Sequence, residues 1–124
     1  MSFDKSLIEL AEKTKEIELT TYGRKTGNAS KRIMWITAIG DRLYVRSGQG
    51  LGRQWPQNLV ANPKAILHIE GQEIPVITRH VTGKEEARAM HAPIKAKYDS
   101  ERPASKGDEA LLPSEEAVFE LLPA

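Results

Sequence analysis

The spacing of apolar residues near the start of the chain predicts a helix followed by a strand. From Glu16 to Tyr22 apolar and polar residues alternate with period two, the pattern of a half-buried strand. Before that strand the apolar residues recur at helical spacing, which predicts a helix over residues 3–14. Its apolar stripe consists of Phe3, Leu7, Leu10 and Ala11.

Two further strands are predicted on either side of a tight turn. The nearly continuous apolar run Ile33–Ile39 indicates a buried strand. Gly40-Asp41 has the composition of a two-residue hairpin turn with glycine first. Alternation resumes over residues 42–47, which we interpret as the third strand.

The middle of the chain contains a short helix and a second hairpin. "WPQNLVAN", residues 55–62, predicts a helix with Pro56 in its first turn. "KAILHIE" and "QEIPVITRHV" predict two strands around Glu70-Gly71. Because Pro75 has no backbone N–H to donate, it indicates an edge position for its strand.

The last third of the chain predicts a helix, a polar excursion and a final strand. Apolar residues from Ala87 to Tyr98 are spaced as a helical stripe, and we predict a helix over 83–98. Thr82 and Glu85 have the spacing of a capping box at its start. Residues 99–117 are polar and contain proline and glycine, whereas "AVFELLP" predicts a strand at about 116–122.

This order of elements predicts a single, mainly β domain of the α+β class. Strands joined by consecutive hairpins form antiparallel sheets, and five or six such strands can curl into a small barrel that removes its exposed edges. A chain of 124 residues is most simply one domain. We therefore predict one domain over 1–124 with its barrel core over 16–81.

Composition excludes several kinds of site. The chain contains no cysteine, so disulfides, cysteine-ligated zinc and a thiol nucleophile are excluded. No apolar run is long enough to form a membrane helix, and the first residues lack the apolar core of a signal peptide. We expect a cytoplasmic protein with no integral membrane segment.

Charge is distributed unevenly along the chain. Between Gly23 and Arg53 there are seven basic residues and one acidic residue, although the net charge of the whole chain is only +1. A local basic zone in a chain that is otherwise acidic suits a compact anion such as a phosphate better than a nucleic acid. We therefore expect a small-molecule ligand and no nucleic-acid partner.

Two basic segments are candidates for the anion site. Arg24, Lys25, Lys31 and Arg32 lie in or beside the first hairpin loop, and Arg46 leads into the glycine-rich stretch before Arg53. If the second and third strands pair through Gly40-Asp41, Arg32 and Arg46 lie at the same end of that hairpin. Glycine-rich backbone can approach a ligand closely, and arginine donates charge-assisted hydrogen bonds to phosphate. The alternative is a solvated charged rim around ordinary loops.

The chain has no recognisable catalytic motif of its own. His68, His80 and His91 lack metal-ligand spacing, no serine lies in a G-x-S-x-G context, and no phosphate-binding P-loop is present. Trp35 and Trp55 could each stack on a flat ligand or belong to the core. An enzyme of this composition would need a cofactor to carry the reaction.

Two motifs resemble the deazaflavin-dependent nitroreductase family. "LTTYGRKTG" resembles the L-T-T-x-G-R-[KR]-[ST]-G stretch of that family. "WPQNLVANPKAILHI" resembles its W-x-x-N-L-x-A-N-P-x stretch, at the same distance downstream. The two motifs in order are more specific than either alone, and the resemblance covers about residues 16 to 95.

The resemblance implies a split β-barrel, the fold of the FMN-binding pyridoxamine-phosphate oxidase group. It implies an F420-dependent oxidoreductase that passes a hydride to a quinone, a nitro compound or another electrophilic organic substrate. An FMN-binding oxidoreductase on the same barrel, or a non-catalytic carrier of a flat anionic molecule, are the alternatives. Split barrels usually form homodimers, often with the cofactor near the interface.

The resemblance also implies cofactor-binding positions. Arg24, Lys25 and Thr26 correspond to the loop that reaches the phosphate and acidic tail, and the family's Ser-Lys pair after the third strand is replaced here by Ser47-Gly48. Arg46 or Arg53 could supply the missing charge. No proton donor can be named, although Tyr44, Tyr98 and Ser47 are candidates. The complete set of predicted cofactor-binding residues is Arg24, Lys25, Thr26, Arg32, Trp35, Arg46, Ser47, Gly48, Gln49, Arg53, Trp55 and Asn58.

Overall fold

A curled antiparallel sheet forms the body of the molecule. The computed structural model describes residues 3–98 and 103–124, and the bounds below refer to these residues. The strands are β1 (Glu16–Tyr22), β2 (Ala29–Trp35), β3 (Thr37–Ile39), β4 (Arg42–Arg46), β5 (Lys64–Ile69), β6 (Gln72–Val81) and β7 (Val118–Pro123). The helices are α1 (Lys5–Lys13), α2 (Gln54–Ala61), α3 (Lys84–Ala89), α4 (His91–Tyr98) and α5 (Pro113–Glu116), with a 3-10 turn at Gly50–Gly52.

The two strands at the edges of the sheet, β2 and β3, are consecutive in the chain. The strand order is β2-β1-β5-β6-β7-β4-β3, and every pairing between neighbours is antiparallel. Because only Ile36 separates edge strand β2 from edge strand β3, the sheet must curl until its edges meet. This is the small barrel that the order of elements predicted, with a split beside Ile36.

The predicted strand Ile33–Ile39 is wrong in one respect, because it consists of two strands, β2 and β3, with a break between them at Ile36. β2 pairs with β1, whereas β3 pairs with β4, so the two halves belong to opposite edges. The backbone N–H of Ile36 donates to the Tyr98 hydroxyl at 3.2 Å instead of to a strand. A side chain therefore replaces the missing ladder partner at the bend.

The turn at Gly40-Asp41 is confirmed, whereas the edge position of Pro75 is wrong. Ile39 faces Arg42 across a two-residue loop, and Gly40 has a φ of 61°, a conformation that glycine adopts without strain. Pro75 lies in β6, between β5 and β7. The Pro75 carbonyl accepts the N–H of Ala124, the residue just beyond the end of β7. The nitrogen of Pro75, which has no hydrogen to donate, therefore lies where strand β7 has already ended.

The interior of the barrel forms the main core. The inward positions of the alternating strands are fully buried, and α1 closes one end of the barrel with Leu7, Ile8 and Ala11. Asp4 caps α1 by accepting the N–H of Leu7 at 3.0 Å. The largest buried interior side chains are Leu19, Ile36, Leu43, Leu67 and Phe119.

A second, smaller cluster lies on the outside of β4, β6 and β7. Tyr44, Val81 and Val118 are buried there beneath α3 and α4. The helix predicted over 83–98 is two helices that meet at Met90, and the predicted capping box does not form, because Gly83 precedes α3 without a side-chain cap. The predicted C-terminal strand is confirmed as β7.

The polar excursion before β7 is only partly described, because residues 99–102 lie outside the described residues. Within the described part, the buried Glu115 of α5 accepts the N–H groups of Leu112 at 2.8 Å and Ser105 at 3.2 Å. Burial alone would raise the pKa of Glu115, but these hydrogen bonds lower it below its usual value. The side chain of Glu115 thus anchors the approach to the last strand.

Candidate functional site

A cavity of about 380 Å³ opens at the split of the barrel. It lies between edge strand β2, the loop that follows β4, the start of α2 and the middle of α4. Its size is within the range of small-molecule and cofactor sites. The lining residues are Ile33, Met34, Trp35, Thr37, Arg46, Ser47, Gly48, Gln49, Arg53, Trp55 and Ile94.

The loop after β4 forms one wall of this cavity, and hydrogen bonds to its backbone fix its conformation. The N–H of Ser47 donates to the Ala117 carbonyl at 3.0 Å, and Gln57 of α2 donates to the Leu51 carbonyl at 2.9 Å. Gly50 has a φ of 78°, and a Cβ added to it would lie 2.9 Å from the Cβ of Pro113. The loop therefore requires glycine at position 50 both for its backbone conformation and for its packing against α5.

Within residues 3–98 and 103–124, the charged residues that line the cavity are all basic. Arg46 ends β4, and Arg53 immediately precedes α2, where its Nε donates to Oε1 of Gln49 at 2.8 Å. No aspartate or glutamate from these two ranges is in the lining. The wall formed by the loop thus presents two guanidinium groups and the polar side chains of Ser47 and Gln49 to a ligand, a donor set suited to phosphate or carboxylate.

Two tryptophans contribute aromatic surface to the same cavity. Trp35 of β2 is 41% exposed, and its ring lies parallel to the ring of Tyr98 with centroids 4.0 Å apart. Trp55 of α2 contacts the core ring of Phe119 in a tilted arrangement. Trp55 is thus supported by the barrel interior and Trp35 by the end of α4.

Five of the predicted cofactor-binding residues lie outside the lining. Arg24 donates through Nη1 to Oδ1 of Asn58 at 3.3 Å, and the buried Asn58 donates to Oγ1 of Thr21 at 3.1 Å. These bonds join the β1–β2 loop, which also carries Lys25, to α2. The hydroxyl of Thr26 accepts the N–H of Asn28 within that loop.

Arg32 and Arg46 lie on strands that do not pair with each other. The expectation that both lie at one end of a hairpin is wrong, because β2 pairs with β1 and Arg32 faces Leu19. The structure nevertheless brings seven predicted residues together around one cavity. These are Trp35, Arg46, Ser47, Gly48, Gln49, Arg53 and Trp55.

The sequence did not identify the apolar part of the lining. Ile33, Met34 and Ile94 line the cavity together with Thr37. Ile94 belongs to the helical stripe that was recognised in the sequence, but a stripe shows only that a face is covered and not what it covers. Of the candidate proton donors, only Ser47 lines the cavity, since the hydroxyl of Tyr44 bonds to Glu86 beneath α3.

A larger cavity of about 490 Å³ lies on the outer face of β1, β5 and β6. Its charged lining is mainly acidic, with four glutamates and one histidine, and His68 bonds to Thr20 at 2.7 Å. Such a surface repels anions, so its size does not make it the better candidate for a phosphorylated ligand. The glutamates are Glu16, Glu18, Glu70 and Glu73.

Comparison with known proteins identifies the fold and the family. A family model described as "Uncharacterized protein conserved in bacteria (DUF2255)" matches residues 7–120. A structure from Bacteroides thetaiotaomicron assigned as a 5-nitroimidazole antibiotic resistance protein is 17% identical, with a TM-score of 0.67 over 98% of this chain and 81% of its own. An F420-H2 dependent reductase (FDR-A) is 19% identical, with a TM-score of 0.56 over 86% of this chain and 92% of its own.

A third similar structure has a different assignment from the first two. It comes from Listeria innocua, is assigned as a pyridoxamine 5'-phosphate oxidase, and is 16% identical, with a TM-score of 0.67 over 95% of this chain and 90% of its own. The predicted split β-barrel is therefore confirmed.

In the part of the chain that the structure describes, no helix combines the length and the apolar character needed to cross a bilayer.

Proposed function

We propose that this chain, which belongs to the DUF2255 family of bacterial proteins, binds a flat anionic cofactor of the deazaflavin or flavin class at the split of its barrel. The observation that carries the proposal is the cavity itself. It combines two arginines, two tryptophans and a glycine-rich loop, and no carboxylate lines it among the residues that the structure describes. This donor set fits a ring system that bears a phosphate.

Within this proposal the lining residues have separate tasks. Arg46 and Arg53 neutralise the phosphate, and the polar groups of the Ser47–Gln49 loop add hydrogen bonds. Trp35 and Trp55 provide the aromatic surface that limits the position of the ring system. The buried apolar side chains of Met34 and Ile94 exclude water from the remaining wall.

The first candidate activity is that of an F420-dependent oxidoreductase. When bound in its reduced form, F420 supplies a hydride to a quinone, a nitro compound or another electrophilic organic substrate. The chain's own contribution is to position the two reactants and to exclude water from the space between them. Support comes from the two sequence motifs and from the fold shared with an F420-H2 dependent reductase.

FMN is the second candidate cofactor. The fold shared with a protein assigned as a pyridoxamine 5'-phosphate oxidase supports FMN. The residue after Ser47 in the loop, which is Gly48, supports it as well. The family that binds the longer polyanionic F420 commonly has a lysine at that place. A chain with fewer cations in this loop suits a single phosphate better than a long anionic tail.

A titration of the purified protein with F420 and with FMN, followed by cofactor and tryptophan fluorescence, tests the proposal. Saturable F420 binding with oxidation of reduced F420 by a benzoquinone or a nitroimidazole supports the first candidate. Binding of FMN alone supports the second, and F420 binding without turnover supports a carrier. A protein that binds neither compound contradicts the proposal.

The proposal includes a homodimer formed through the uncovered outer face of β2, β1 and β5. Ile33 is 65% exposed on this face. Along the strands, Glu16 and Glu18 lie toward one end, and Lys31 and Lys64 lie toward the other. Two copies related by a twofold axis across the strands would place the acidic end of one copy over the basic end of the other.

A further inference from the structure

Two side chains at the end of α4, Lys97 and Tyr98, form hydrogen bonds with backbone groups of Ile36 and of two residues in and after α1. The Tyr98 hydroxyl accepts the N–H of Ile36 at 3.2 Å and lies 2.6 Å from the Lys15 carbonyl and 2.9 Å from the Ile36 carbonyl, either of which can accept its proton. The Lys97 ammonium donates to the carbonyls of Ala11 at 2.8 Å and Ile36 at 2.6 Å. These bonds connect α4 to the end of α1 and to the residue where the sheet splits.

The same contacts fix the ring of Tyr98 against Trp35. The two rings are parallel to within 1°, and both Lys15 and Lys97 place their ammonium groups near the Tyr98 ring, at 5.3 and 5.1 Å from its centroid. An aromatic side chain whose hydroxyl already has several backbone partners loses those bonds if its ring swings away. Tyr98 is therefore a fixed support rather than a residue that an incoming ligand displaces.

We infer that Tyr98 is a positioning residue, which with Lys97 holds Trp35 as a rigid wall of the cavity at the split. This inference rests on the function proposed above. Trp35 is the last residue of edge strand β2, is 41% exposed, and stacks on the ring of Tyr98 beside the break at Ile36. Ile94, one turn before Tyr98, lines the same cavity, so one face of α4 supports both the apolar wall and the indole.

Binding measurements on variants of two tyrosines test this role. Tyr98→Leu removes the stacked ring, whereas Tyr98→Phe keeps the ring and loses only the hydroxyl. Tyr44→Leu is the matched control, because Tyr44 also joins a helix to the sheet, through Glu86, but lies outside the cavity. We expect Tyr98→Leu to raise the Kd for FMN or F420 at least fivefold, with Tyr98→Phe within threefold and Tyr44→Leu within twofold of the wild-type value.

A second measurement needs no cofactor. Since Trp35 and Trp55 are the two tryptophans of the chain, Trp55→Phe leaves Trp35 as a single fluorescent reporter. In that background we expect Tyr98→Leu to increase acrylamide quenching of Trp35 at least twofold. We expect Tyr98→Phe, which keeps the ring but loses the backbone bonds of the hydroxyl, to increase it by a smaller factor, and Tyr44→Leu to leave it near the starting value. A role in stability alone would lower the melting temperature without this selective change.

The two measurements separate the inference from the proposed function. If the wild-type protein binds neither FMN nor F420, the proposed function fails, and the quenching experiment still decides whether Tyr98 orders Trp35. Quenching that is unchanged in Tyr98→Leu overturns the inference. So does a loss of affinity that Tyr44→Leu reproduces to the same extent.

Discussion

Gly50 and Pro113 are packed so closely that the glycine has no room for a side chain. A Cβ at position 50 would lie 2.9 Å from the Pro113 Cβ and 3.1 Å from the Pro113 carbonyl oxygen. This contact joins the loop that lines the cavity to α5, which directly precedes the last strand. The shape of the cavity wall therefore depends on a segment more than sixty residues further along the chain.

We predict that Gly50→Ala destabilises the protein and weakens ligand binding. The backbone φ of 78° and the contact with Pro113 each oppose a side chain, and together we expect them to lower the free energy of unfolding by ~2 kcal/mol or more. Gly52→Ala is the control, because a Cβ there meets nothing within 4 Å. Chemical denaturation measures both variants, and equal losses in the two would contradict the explanation.

The positions of the basic residues lead to a prediction that separates the two cofactors. Arg46 and Arg53 line the cavity, whereas Arg24 and Lys25 lie on the β1–β2 loop, which Arg24 joins to α2. We expect Arg46→Gln with Arg53→Gln to weaken both FMN and F420 at least tenfold, a loss of about 1.4 kcal/mol between two charge-assisted contacts. Arg24→Ala with Lys25→Ala should weaken F420 by a similar factor and leave FMN almost unchanged, because the resemblance of the motif implies that this loop reaches the acidic tail, which FMN lacks.

A variant at the far end of β4 provides the control for charge. Arg42→Gln removes the same charge from the same strand as Arg46→Gln alone, but Arg42 is outside the cavity and lies 3.9 Å from Glu86 and Glu120. Titrations of FMN and F420 at one fixed ionic strength compare all variants. Equal weakening by Arg42→Gln would mean that the ligand responds to net charge and not to this cavity.

Much of the barrel could be predicted from the sequence, because alternation shows which side of a strand is buried. Strand β1 was predicted in this way, whereas the tight turn at Gly40 was predicted from its composition and the last strand from the run "AVFELLP". The break at Ile36 could not be predicted, since Thr37 is the one polar residue of the run, and a single threonine is as common inside a strand as at its end. The N–H that the break leaves without a strand partner donates to a residue 62 positions later, at the Tyr98 hydroxyl.

The candidate site was predicted less completely than the fold. The glycine-rich loop and both tryptophans could be recognised by composition, and the structure brings them together. The pairing through Gly40-Asp41 is correct for residues 37–39, but Arg32 was wrongly assigned to that hairpin, because it belongs to β2, which pairs with β1. Local patterns give the face of a residue, but the distance between two loops depends on the order of strands in the sheet.

The uncovered outer face leads to a prediction about assembly. We expect Ile33→Glu to convert a dimer into monomers, since it places a carboxylate on the apolar part of this face beside Glu18. Val60→Glu is the control, because Val60 is 57% exposed on α2 and lies outside that face. Light scattering after gel filtration measures the mass of each variant. A monomeric wild-type protein, or a dimer that survives Ile33→Glu, would contradict the proposed interface.

The ammonium of Lys97 leads to a prediction about stability in mildly alkaline solution. Burial, and next the charge of Lys15, lower the pKa of Lys97 from its usual 10.5 to about 8. Between these two values the unfolded chain binds more protons than the folded protein, so the free energy of unfolding should rise with pH. The slope is at most ~1.4 kcal/mol per pH unit for one proton, and smaller here because Lys97 is partly solvated.

Lys97→Met should remove this rise, because it replaces the ammonium by an uncharged group of similar length. Urea denaturation at several values between pH 7.5 and 10 measures the slope, and Lys95→Met on the exposed side of the same helix is the control. The range stops at pH 10 because burial raises the pKa of Tyr98 above its usual 10.0, which gives a slope of opposite sign at higher pH. The same slope in wild type and in Lys97→Met would show that the ammonium of Lys97 is not the group responsible.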